Sequence, residues 1–456
     1  MNAYITAPCS EKIWTTLGPE FGEDAGKRAI VVRALYGLKS SGAAFRKHLG
    51  ECMQGMGYKP CLADPDLWLK PVVTKEGKEY YSYILNYVDD IMVIHHDAMP
   101  ILKEINKFML LKPDSVGDPD IYLGAKLKQV QLENDVWCWT LSPSKYINEA
   151  VRNCQKHLKE NFNGQYSLIK QAPNPFPLNY EPEMDVTELL PPDQASYYNS
   201  IIGIMRWMVE LGRVDIGTEV SKLSSFLAMP RRGHMEAALH VMFYLRCKHN
   251  SRLPLDPTYP FVDRDAFNEN ADWTATYGDV SEALPTNAPK PLGKEVVIRM
   301  FVDSDHAGDK ATRRLRTGFM IYMNMALINF QSKKQSTVEG AVFGSEFVAM
   351  KQGVETLRGI RYKLRMMGVK IEGPTYIYGD NMSVIHNTSK PESVLKKKSN
   401  SICYHFVREA VAAKECLVAH IPTAKNVADL LTKVLSGQRR RDLVAVVLAN
   451  IYDKHD

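Results

Sequence analysis

The chain has little net charge, no paired-cysteine motif and no long apolar run. Its formal charge is +5 over 456 residues, with a pI near 8.6. That balance favours a polyanionic partner only weakly. Eight cysteines lie at 9, 52, 61, 138, 154, 247, 403 and 416, and none forms a C-x-x-C pair. A zinc ribbon or dithiol redox site therefore has no support. Reduced thiols of an intracellular protein are expected. The most apolar stretch, residues 201–212, carries Arg206 and Glu210. It is too short and too charged to span a bilayer, so no membrane partner is expected. No secretory signal pattern opens the chain. The first residues, MNAYITAPCSEKIW, read instead as a strand already in progress. A piece of a longer polyprotein is expected.

What is present suits sizeable cores. Hydrophobic residues make up 45% and charged residues 24%, which is ordinary for globular proteins. The length suggests two to four domains. Residues 1–165 mix short strands and helices in an α+β order. Residues 166–295 carry helical periodicity between two Pro-rich stretches and read as connecting helices with linkers. From 296 the pattern is three strands, a long amphipathic helix beginning in GSEFVAM, then strand, helix, strand, helix.

Two groups of carboxylates stand out. Tyr87-Val88-Asp89-Asp90 sits between the strand-like runs YSYILN and IMVIHH. Adjacent carboxylates at a hairpin tip repel and raise each other's pKa. A hard divalent cation relieves the repulsion, because Mg²⁺ prefers carboxylate and phosphate oxygens. The second group is dispersed. Asp303 lies on the first strand of the last region, Glu346 on the first turns of its long helix, Asp380 at the end of a later strand, and Asp429 on what reads as the last helix. If the fold joins them, two Mg²⁺ ions can be held roughly 4 Å apart. Asp305 and Asp309 rank lower, as residues of a solvated turn.

Other candidates have blander readings. Lys396, Lys397 and Lys398 precede a predicted helix that carries His405 and Arg408. A solvated charge run is the default; if the acidic group of the same region acts on nucleic acid, phosphate contact becomes the better reading. Trp137 and Trp139 share one strand face and are expected to pack in a core. His95 and His96 read as the far end of the hairpin, not as metal ligands. Arg439–Arg441 read as a soluble tail.

These residues together resemble the copia-type retrotransposon Pol polyprotein, over nearly the whole chain. RALYGLKSSGAAFRKHL, YVDD, YLGAKL and LSPSKYI are similar to its reverse-transcriptase segments. FVDSDHAGD, SKKQSTV, SEFVAM, YGDN, CYHFVRE and ADLLTKVL are similar to its ribonuclease H. The resemblance implies a partial palm over 1–165, thumb or connection helices over 166–295, and an α/β ribonuclease H domain over 296–456. It implies that Asp89 and Asp90 are the palm metal pair. Tyr4, Tyr36, Gly37 and Lys39 then belong to the nucleotide pocket. Asp303, Glu346, Asp380 and Asp429 become the nuclease carboxylates, with two Mg²⁺ (or Mn²⁺) ions per active site. The implied partners are an RNA–DNA hybrid, an RNA template, a DNA primer and deoxynucleoside triphosphates. The implied location is a cytoplasmic virus-like particle or the nucleus. The family's first palm aspartate falls before Met1 by spacing, so polymerase activity is expected to be lost and hybrid cleavage retained. The alternative is an inactive nucleic-acid-binding relic.

Overall fold

The computed structural model describes residues 3–9, 11–88, 90–112, 116–162, 164–166, 172–177, 179–305, 308–336, 342–395 and 398–450. The chain divides into two compact units. One comprises Met1–Pro119, Pro285–Glu295 and Tyr362–Lys370; the other comprises Asp120–Leu284, Val296–Arg361 and Ile371–Asp456.

In the first unit, helix α1 (Ser41–Gly55) precedes strands β1 (Lys59–Cys61), β2 (Asp64–Val73), β3 (Glu79–Tyr87) and β4 (Asp90–Ile94), followed by α2 (Met99–Phe108). The strands form an antiparallel meander in chain order. Phe45, Leu49, Cys52 and Met53 recur at helical spacing on α1 and pack with Trp68, Ile84 and Ile105. The strand expected at the start of the chain is not there. Ala3–Thr6 is a 3₁₀ turn, and the first strand is Trp14–Thr16. The Tyr4 ring lies 4.3 Å from Tyr36 and 5.5 Å from Phe45. Tertiary packing of that ring overrides the strand-like propensity of the segment.

The second unit begins with β5 (Ala125–Gln131), β6 (Trp137–Ser142) and α3 (Ser144–Asn161). Then come α4 (Pro192–Glu210), α5 (Gly217–Leu223) and α6 (Arg232–Cys247). Apolar faces of α3, α4, α5 and α6 meet in one core around Ile147, Ile201, Val220 and Phe243. The two tryptophans correct the sequence reading. On β6 it is Cys138 that is buried, while Trp137 is 60% exposed. The alternation was right, but the face it turns inward is the other one.

A five-stranded sheet follows. Its strands are β7 (Ile298–Asp305), β8 (Arg316–Met323), β9 (Ala326–Lys334), β10 (Thr375–Gly379) and β11 (Cys416–His420), in the order β9-β8-β7-β10-β11. β7, β8 and β9 are an antiparallel meander, whereas β10 and β11 join β7 in parallel. Between β9 and β10 runs α7 (Val342–Met366). Between β10 and β11 run α8 (Met382–Ser389) and α9 (Ser401–Ala412), and α10 (Gly437–Val447) follows β11. β8, β10 and β11 are almost wholly buried, as expected for strands covered on both faces. No helix among the described residues is long and apolar enough to cross a membrane.

Asp429 is on a 3₁₀ turn, Val427–Leu431, and not on an α-helix. Arg439–Arg441 form no tail. They lie on α10, where Arg440 is buried and pairs with Glu219 at 3.4 Å. Arg440 also donates to the carbonyl of Asp215, whose carboxylate holds Arg213 through two 2.8 Å bonds. Removing one partner from such a buried set leaves an uncompensated charge, at a cost of about 3–5 kcal/mol.

Candidate metal centre

Strand register builds the centre. β7 and β10 are parallel neighbours, with Phe301 opposite Tyr378. Asp303 and Asp380 each lie two residues further on, so both carboxylates emerge at the same end of adjacent strands. In open α/β sheets that end is where ligands bind, at the point where strand order reverses. Glu346 comes from the first turns of α7. The Ser304 hydroxyl meets that of Ser345 at 3.1 Å, and Gln335 donates to the Ser345 carbonyl at 3.1 Å. These bonds seat the start of α7 beside β7.

One oxygen from each of Asp303, Glu346 and Asp380 lies within 4.8 Å of the other two. Asp303 and Glu346 are buried and Asp380 is half-buried. Burial first, then repulsion from the neighbouring carboxylates, pushes Glu346 well above the ordinary carboxyl range. Burial also raises Asp303, against the opposing pull of Lys433 and Thr432. A set of hard oxygens that cannot all stay ionised when alone is what a divalent cation stabilises. The donor set therefore fits Mg²⁺ or Mn²⁺.

Asp429 approaches but stands apart from this trio. Gly318 pairs with Asp303 across β7 and β8. A Cβ there would meet Thr432 Cγ2 at 2.6 Å and the Ala428 carbonyl at 3.0 Å, so only glycine lets the 427–432 segment lie so close to the sheet. Asn426 fixes the segment further: its side chain donates to the Val302 carbonyl at 3.0 Å and accepts from Ala428 N–H at 3.2 Å. Thr432 then donates its hydroxyl to Asp303. Lys433 contacts Asp429 at 2.6 Å and Asp303 at 3.2 Å. Arg439 completes the set as a second partner of Asp429. Sequence reasoning missed Thr432, Lys433 and Arg439. The one available signal was Lys433 following Asp429 by four residues, the spacing of a helical ion pair.

Asp305 is half-buried at the end of β7, and desolvation raises its carboxyl. Asp309 is no free turn residue; it is ion-paired with Lys334 and accepts from Thr312 N–H at 2.7 Å. Lys396 and Lys397 lie outside the described residues; Lys398 is exposed. His405 is exposed, with its Nδ1 2.8 Å from the Tyr277 hydroxyl. Arg408 is 1% exposed. It donates to the carbonyls of Asn387, Lys390 and Pro391 at 2.7–2.9 Å, and it stacks 4.7 Å from Trp273. Its guanidinium holds the loop after α8 and is not presented to a phosphate, contrary to the sequence reading.

In the first unit Asp89 lies outside the described residues. Asp90 is the exposed first residue of β4, opposite Tyr87. Val88 has φ 55°, an uncommon conformation for a β-branched residue. Tyr36 and Lys39 are exposed, Tyr4 is half-buried against Tyr36, and Gly37 has φ 97°.

The site and sheet thus define a mixed α/β unit with one buried and one half-buried carboxylate at the carboxyl ends of two parallel strands. No family model matches the chain. The chain is similar to the retrovirus-related Pol polyprotein from transposon RE1 of Arabidopsis thaliana, with 25% identity over 443 residues, 95% of this chain and 26% of that protein. It is 24% identical over 441 residues to the Pol polyprotein from transposon TNT 1-94 of Nicotiana tabacum, covering 95% of this chain and 29% of that one. The chain thus spans between a quarter and a third of the length of these curated relatives. Among solved structures, LC11-RNase H1, isolated from compost, aligns with 30% of this chain and 92% of its own at 16% identity and a TM-score of 0.25. The N-terminal RNase H domain of Rv2228c from Mycobacterium tuberculosis aligns with 33% of this chain and 96% of its own at 12% identity and a TM-score of 0.23. Strand order and the carboxylates, not these overlays, support the reading that follows.

Proposed function

We propose that the region 296–456 is a divalent-metal-dependent nuclease of the ribonuclease H type, cutting the RNA strand of an RNA–DNA hybrid. The observation that carries this is the convergence of Asp303, Glu346 and Asp380 within 4.8 Å from two strands and a helix. The sheet order and the similarity to transposon Pol polyproteins along 95% of the chain support it. Asp303, Glu346 and Asp380 would hold a divalent ion, Mg²⁺ or Mn²⁺, and Asp303 with Asp429 would hold a second. Bound ions supply a nucleophile at neutral pH and stabilise the developing charge on phosphate oxygens. The chain's own residues do the placing. Thr432 fixes the rotamer of Asp303, the Ser304–Ser345 bond fixes the start of α7, and the cap from Asn381 to Ser383 and Val384 N–H fixes the turn after Asp380. Exposed Lys398, with its neighbours Lys396 and Lys397 and with His405, contacts phosphates. Such contacts give salt-dependent affinity without sequence information.

The first unit is read as part of a reverse-transcriptase palm. The support is the tetrapeptide at the tip of the β3–β4 hairpin and the Tyr4–Tyr36 ring pair. RNA template, DNA primer and deoxynucleoside triphosphates are its proposed ligands. Primer extension on an RNA template, with Asp90→Ala beside wild type, tests that part.

The nuclease test is cleavage of a labelled hybrid by the full chain with Mg²⁺ or Mn²⁺, beside single-stranded RNA and duplex DNA. RNA in the hybrid should be cut, and EDTA should stop it. Binding of the hybrid with no cleavage in either metal would leave an inactive binding relic as the reading.

A further inference from the structure

The ammonium of Lys433 bridges two almost fully buried carboxylates. It lies 2.6 Å from Asp429 Oδ1 and 3.2 Å from Asp303 Oδ2, with its own side chain one-third exposed. Asp303 is also a member of the trio that fits a cation, whereas Asp429 is outside it. The acidic centre therefore has two sides that share Asp303. One side, toward Glu346 and Asp380, offers only oxygens. The other, toward Asp429, already has a positive charge between its carboxylates.

We propose that Lys433 is a resident cation of this site: it occupies the Asp303–Asp429 side in the free protein, so that a second divalent ion binds there only by displacing it. This rests on the metal-dependent reading above and specifies how the site is occupied. Two buried carboxylates without a counter-charge are costly, and a lysine four residues further along the chain supplies one without any ligand. The carbon stem of Lys433 emerges from the segment that Gly318 allows to pack on the sheet. Its head is therefore delivered to Asp303 by backbone placement and not by chance reach. Arg439 holds the other oxygen of Asp429, which keeps that carboxylate turned toward the lysine. A displaced ammonium needs an anion to receive it, and a substrate phosphate is one. Second-ion binding is thereby coupled to substrate.

The test is Mn²⁺ binding to the full chain without nucleic acid, read as loss of the free-ion signal in electron paramagnetic resonance. Wild type and Lys433→Arg should bind one ion per chain. Lys433→Met should bind two at the same Mn²⁺ concentrations. Lys433→Gln, neutral but able to hydrogen-bond, serves as a second variant and should also bind two. In EDTA, Lys433→Met should melt below wild type, and saturating Mn²⁺ should close the gap. One ion in every variant, or two in wild type, overturns the role of Lys433 and leaves the metal site standing. No Mn²⁺ bound by wild type overturns the metal reading itself.

Discussion

In the first unit, the acidic pair Asp89-Asp90 between β3 and β4 is adjacent in sequence, so its members need no fold to bring them together. In the second unit, Asp303, Glu346 and Asp380 span 77 positions of sequence and meet only through a parallel strand pair and a helix start. The tip is exposed at Asp90, while the cluster is buried at Asp303 and Glu346. Burial makes the second group electrostatically costly without a cation and correspondingly sensitive to one. Exposure leaves the first dependent on ligands from elsewhere. A local motif can thus declare a chemistry that its own surroundings do not complete, while a dispersed set has no local signature but carries its environment with it.

The largest expected effect separates the two groups by activity. Asp303→Asn keeps size and removes charge, and hybrid cleavage should fall at least ~10²-fold, about 3 kcal/mol of barrier. Asp90→Asn should leave the same rate within about two-fold. Equal losses in the two variants would erase the distinction.

A smaller effect contrasts a side chain committed to the fold with one left at the surface. Arg408→Met removes charge-assisted bonds to three carbonyls, and denaturant unfolding should show a loss of about 2–3 kcal/mol. Lys398→Ala should leave stability unchanged while weakening hybrid binding and flattening its salt dependence. A stable Arg408→Met that has lost hybrid affinity would return Arg408 to the binding surface.

The pH dependence should also distinguish the groups. Burial and like charges raise Glu346, and burial raises Asp303. The folded state then keeps protons that the unfolded carboxyls, titrating near ~4, have released. Metal-free stability should therefore fall as pH rises above about 4 through the raised range. Thermal melting in EDTA should show this slope. Mg²⁺ should flatten it, as should the pair Asp303→Asn with Glu346→Gln. A slope unaltered by either change would place its origin outside the cluster.

The smallest effect concerns the tip. Val88→Asn should stabilise the chain by up to about 1 kcal/mol, since Asn tolerates positive φ where a β-branched residue does not. Destabilisation would mean that the valine side chain supports the hairpin by packing.

Sequence alone determined the strand pair β3 and β4 about the acidic tip, the strands β7 to β9, the long helix α7, and the identity of the acids on them. Period and side-chain chemistry are local properties, so they can be read along the chain. Tertiary structure decided the rest. The inward face of β6, the 3₁₀ turn at Ala3–Thr6, the commitment of Arg408 to three carbonyls and the burial of Arg440 all depend on partners distant in sequence. So does the bridge of Lys433 between Asp303 and Asp429. Only the close approach allowed at Gly318, 115 positions before Lys433, puts a charge of the opposite sign among the acids.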